Sequence, residues 1–66
     1  MSILKVIEIM SNSSTSWEDA TAEGIKKASK TVKNIRSAFV QNHSVTVKEG
    51  KIAEYRVNLK ISFEVD

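Results

Sequence analysis

The residues able to do chemistry in this 66-residue chain are few, and their spacing decides against most reactions. There is one histidine, His43, and no cysteine. A thiol nucleophile and a disulfide are therefore excluded, and a zinc site would have one imidazole and carboxylates to draw on. No motif joins His43 to a serine and an aspartate, so it reads as a surface or interface strand residue. The two glycines, Gly24 and Gly50, are too far apart for a phosphate loop. The carboxylates Glu8, Glu18, Asp19, Glu23, Glu49, Glu54, Glu64 and Asp66 are scattered, without EF-hand spacing. No catalytic constellation results, and the chain reads as a non-enzyme.

The charge is equally undirected. Ten basic and eight acidic residues leave a net +2. Lys26, Lys27, Lys30 and Lys33 form the one local cluster, which reads as a solvated helix face. Basic and aromatic residues do not interleave, so nucleic acid is not an expected partner. No stretch is long and apolar enough to span a bilayer, and no signal peptide is visible, so the expectation is a cytoplasmic protein with no membrane partner. The lack of cysteine fits that compartment. The sequons at Asn12 and Asn42 then read as chance matches.

Around these residues the chain shows one domain, residues 1–66, of α+β class. Residues 3–11 read as a strand, in which Leu4, Val6, Glu8 and Met10 alternate with Ile3, Lys5, Ile7 and Ile9. Residues 11–15 read as a loop of Ser, Thr and Asn side chains that compete for backbone hydrogen bonds. Ser16 is a helix N-cap, with Glu18 and Asp19 favoured by the dipole in the first turn. The helix is expected to run to about Asn34. Trp17, Ala20, Gly24, Ala28, Thr31 and Ile35 recur on one side, widened by Ile25 and Val32. The small residues at its middle predict close packing on a sheet, and Trp17 reads as a packing residue at the helix start.

Residues 37–47 read as a second strand, and Lys48-Glu49-Gly50-Lys51 as the turn of a hairpin. Residues 52–65 are the clearest strand. Tyr55, Val57, Leu59, Ile61, Phe63 and Val65 alternate with Glu54, Arg56, Asn58, Lys60, Ser62 and Glu64. The order is β-α-β-β, and the arrangement predicted is a three-stranded antiparallel sheet, order 1-3-2, wrapped on one helix.

The lengths of these elements do not match. The third strand extends roughly 46 Å at ~3.3 Å per residue, whereas the helix covers about 28 Å. Part of an apolar face, such as Phe63 and Val65, is left wet in a single copy. A small chain with open strand edges and no disulfide is therefore expected to self-associate.

The opening KVIEI (residues 5–9), TSWEDA (15–20) and the ending YRVNLKISFEV (55–65), in this order and spacing, resemble the dodecin family over almost the whole chain. The resemblance implies a hollow homododecamer of cubic symmetry that binds a small ligand and is not a catalyst. Flavin-binding dodecins store riboflavin and related flavins such as FMN and FAD. They hold the ring with a Trp at the start of the second strand and a Gln on the third.

Aligning the chain with that pattern puts Ser37 at the Trp position and Arg56 at the Gln position. These two are the candidate ligand-binding residues that the resemblance marks. Ser37 has no π surface for stacking. Arg56 donates hydrogen bonds but cannot accept one, and its fixed charge favours an anionic or phosphate-bearing ligand. The structural role open to Arg56 is an ion pair between subunits with a residue such as Glu54 or Glu64. SWE at the helix start, IR before the second strand and YR on the third look more like the calcium-associated branch of the family. Three functions are therefore in view: a flavin-type storage cage, a calcium buffer of the same architecture with its metal ligands unassigned, and a structural oligomer without a small ligand.

Overall fold

The structure, a computed structural model, describes residues 3–65. Strand β1 spans Ile3–Ser13, helix α1 Trp17–Ala28, strand β2 Ile35–Lys48 and strand β3 Lys51–Val65. The three strands form one antiparallel sheet in the order β1-β3-β2, as the alternation and the hairpin predict. The hairpin closes through Glu49 and Gly50, both at positive φ (54° and 75°), which is the backbone of a two-residue primed turn.

The helix starts where the sequence places it. Ser16 is extended at φ −168°, and its hydroxyl accepts a 3.0 Å bond from the Asp19 amide. It ends well before Asn34, which corrects the expected length. Past Ala28 the amides of Lys30 and Thr31 bond three residues back, and the hydroxyls of Ser29 and Thr31 take the Lys26 and Ala28 carbonyls. Such local side-chain bonds compete with helix propagation. Asn34 then reverses the chain at φ 64°. Thr31, Val32 and Ile35 therefore leave the predicted helical stripe, and Ile35 opens β2 instead. Strand β1 runs two residues further than expected, so Ser11 to Ser13 are strand rather than loop.

One face of the sheet packs on the helix. Val57, Leu59 and Ile61 of the central strand and Ala20 of the helix are fully buried, with Ile7, Ile9, Trp17, Ala28, Ile35 and Val40 packed around them. Gly24 allows the close approach foreseen for the small residues. A Cβ there would lie 3.1 Å from both Leu59 Cδ1 and Ser11 Cβ.

Strand β2 reaches this core only by bulging. Arg36 and Gln41 are extra residues relative to β3, so Ile35, Ala38, Val40, His43 and Val45 share the helix-side face with Phe63, Ile61, Leu59, Val57 and Tyr55. Bulges add bend and twist, which curves the sheet toward the helix. The twelve-residue helix covers about 18 Å, while the molecule extends 50 Å along its longest axis. The mismatch is thus larger than expected. Val65 is exposed and Phe63 half-buried, but most of the uncovered apolar surface lies elsewhere, as described next.

Candidate functional site

The sheet face turned away from the helix is open, and its side chains follow from the register. Row by row across β1, β3 and β2 it carries Val6, Ser62 and Ser37, then Glu8, Lys60 and Phe39, then Met10, Asn58 and Asn42, then Asn12, Arg56 and Ser44. Leu4 pairs with Glu64 beyond the first row. Leu4, Val6, Met10 and Phe39 are each more than half exposed, so this face carries apolar side chains that no part of the described chain covers.

Both candidate ligand residues lie on this face, but the fold does not bring them together. Ser37 is opposite Ser62, and their hydroxyls hydrogen-bond. Arg56 lies six residues from Ser62 along β3, roughly 20 Å from that row at ~3.3 Å per residue. Ser37 is exposed and its hydroxyl is engaged, so the position offers nothing that could sandwich a flavin ring.

Arg56 is half-buried, and its Nε donates to Asn12 Oδ1 at 2.9 Å. Within the chain Arg56 pairs with neither Glu54 nor Glu64, and the pairing expected of it is one between copies. Glu64 is taken by Arg36 at 2.9 Å, the one ion pair among the described residues. Asn12 as the Arg56 partner escaped sequence reading, because it depends on the β1–β3 register and on β1 extending past Ser11.

Trp17, His43 and Tyr55 gather on the opposite face. Trp17 packs at the edge of the core, as expected of it. Its Nε1 also donates to the Ser44 carbonyl at 3.0 Å, its indole stacks on His43, and Tyr55 meets it edge-on. His43 is an exposed strand residue that belongs to no group of three or more His, Asp or Glu side chains among the described residues. Among the described residues no three His, Asp or Glu side chains converge as a metal site, so their side chains alone do not supply the carboxylate-rich shell that calcium prefers. Asp66, one of the candidate carboxylates, lies outside the described residues. Nor do the described residues enclose a pocket.

Comparison with known proteins agrees with this fold. The dodecin family model matches residues 3–66. The calcium dodecin of Mycobacterium tuberculosis is 40% identical over 65 residues, 98% of this chain and 92% of that protein. A crystal structure of that calcium-chelating protein, described with a novel calcium-binding site, superposes with a TM-score of 0.85 at 42% identity, covering 97% of this chain and 91% of the other. A dodecin from Streptomyces davaonensis superposes with a TM-score of 0.94 at 28% identity, covering 98% and 96%.

Proposed function

The chain belongs to the dodecin family, and from that membership we propose that it is a non-catalytic binding protein that works as a closed homo-oligomer, twelve copies in the family pattern. The observation that carries this reading is the open sheet face. It exposes Leu4, Val6, Met10 and Phe39 while the described residues form no pocket. Covering such a face releases water from apolar surface, and a second copy is the partner of matching length and curvature always present at equal concentration. The same contact supplies the missing walls of a ligand site. Flavin is the weaker cargo, because Ser37 lacks the ring surface and Arg56 lacks the acceptor that a flavin edge needs. Native mass spectrometry of untreated protein reports stoichiometry and cargo together. A twelvefold mass with bound small molecule is expected, and a stable monomer would refute the reading.

A second reading is a calcium buffer of the same architecture, favoured by the 40% identity to a calcium dodecin. Calcium takes six to eight oxygen ligands, so carboxylates and carbonyls from several copies would have to meet. Calorimetry of chelator-treated protein with calcium and with magnesium tests it. Heat with calcium that vanishes on dissociating the oligomer is expected, and no heat with either ion refutes it.

A further inference from the structure

Arg56 is the cation on the open sheet face with the most built surroundings. It lies on the central strand, with Asn12 and Ser44 directly across from it on the two flanking strands. Asn58 is its neighbour two residues along on the same face, opposite Asn42. These neighbours are neutral hydrogen-bonding groups. The carboxylate two residues the other way, Glu54, makes no ion pair with it, and none of the described residues does. Of the five guanidinium N–H donors, one is spent on Asn12 Oδ1. That bond fixes the guanidinium and commits the Asn12 carbonyl inward, which leaves the Asn12 amide donors for a ligand.

A held fork of N–H donors with flanking amide and hydroxyl donors matches the geometry of an oxyanion. It is a poor match for a metal ion, which needs acceptors, and for a neutral ring edge, which needs both. Holding the guanidinium in advance also lowers the entropy cost of binding.

We propose that Arg56, with Asn12 and Ser44, forms an anion-recognition subsite that takes the carboxylate or phosphate group of a small organic anion. The inference deepens the binding function proposed above and rests on it, since the walls that cover the rest of the ligand come from another copy.

The test is calorimetric titration of the assembled protein with inorganic pyrophosphate and, separately, with citrate. Saturable binding of at least one is expected, falling as sodium chloride rises. Arg56→Gln should weaken it about tenfold or more, the usual consequence of losing a hydrogen bond to a charged group. Asn12→Ala should weaken it several-fold, and Arg36→Gln, on the pair with Glu64, should leave it unchanged. Arg56→Lys keeps the charge without the fork, and it serves if the Gln variant fails to assemble. An intermediate loss there supports the subsite. Preference for pyrophosphate or citrate tells a phosphate ligand from a carboxylate one. Absence of binding by the assembled protein, or equal binding by the Arg56 variants, overturns the inference while leaving the assembly standing. A monomer by sedimentation that still binds through Arg56 overturns the assembly and keeps the subsite, and a monomer that does not bind removes both.

Discussion

The indole of Trp17 lies flat against the imidazole of His43, with ring centroids 5.1 Å apart and planes 15° apart. Tyr55 meets the indole edge-on with centroids 5.2 Å apart, and the indole Nε1 bonds to the Ser44 carbonyl at 3.0 Å. The start of the helix is thereby tied to both strands of the hairpin. Aromatic pairs contribute about 0.5–1.5 kcal/mol beyond the area they bury. His43→Ala should therefore destabilise the fold by roughly that amount and shift the emission of Trp17, the sole tryptophan. Trp17→Ala removes the stack, the hydrogen bond and the packing, and should cost about 2–3 kcal/mol because the indole is only half-buried. Urea unfolding followed by circular dichroism measures both. Equal, negligible losses would mean the trio is a passive surface contact.

Gly24→Ala sets helix propensity against space. Alanine gains about 1 kcal/mol over glycine inside a helix. Here the new Cβ would meet Leu59 Cδ1 and Ser11 Cβ at 3.1 Å. Leu59 is fully buried on the central strand, and the Ser11 hydroxyl is held to the Ala20 carbonyl at 2.7 Å. Neither neighbour can yield cheaply, and overpacking costs about 1–3 kcal/mol. The expected outcome is a net loss of about 1 kcal/mol, read as a lower urea midpoint. A higher midpoint would show that the helix can shift away from the sheet.

Ser13 is the only buried polar side chain among the described residues. Its hydroxyl accepts from the amides of Thr15 (2.9 Å) and Ser16 (3.4 Å) and donates to Asp19 Oδ2 at 2.7 Å. It thus replaces the return bond that Asp19 would make in a capping box. Ser13→Ala leaves two amides and a carboxylate without this partner, and should cost about 1–2 kcal/mol. Asp19→Asn keeps an acceptor and should cost less. Thermal unfolding of the two variants ranks them, and the reverse order would contradict this account of the helix start.

The readable parts of this chain are those in which a single period runs unbroken. Tyr55 to Phe63 alternate without interruption, and they form the face that packs on the helix. Ser16 capped the helix as its type and the following acids indicate. Strand β2 was blurred because the bulges at Arg36 and Gln41 change the spacing of its inward residues from a steady two to three, two, three and two. The helix end was hidden because Thr31, Val32 and Ile35 continue the helical spacing although Ser and Thr hydroxyls end the helix at Ala28. At the candidate site, the identities of Ser37 and Arg56 were legible but their separation was not. Distance along a sheet, like the partnership of Arg56 with Asn12, follows from register.

The open sheet face yields the last prediction. Val6 and Phe39 are both more than 60% exposed there, on the two outer strands. If a second copy covers them, a lysine at either position must bury its charge or break the contact, and burying an unpaired charge costs several kcal/mol. Val6→Lys and Phe39→Lys should therefore shift sedimentation from the assembled species to smaller ones. Because both side chains are exposed in the single copy, its secondary structure should survive at low temperature. Lys30→Glu, on the turn after the helix, alters charge away from that face and should leave the assembly intact. If the Val6 and Phe39 variants assemble like the parent, the face is solvent-exposed in the oligomer. The free edges of β1 and β2, whose backbone groups offer strand pairing, are then the next surface to vary.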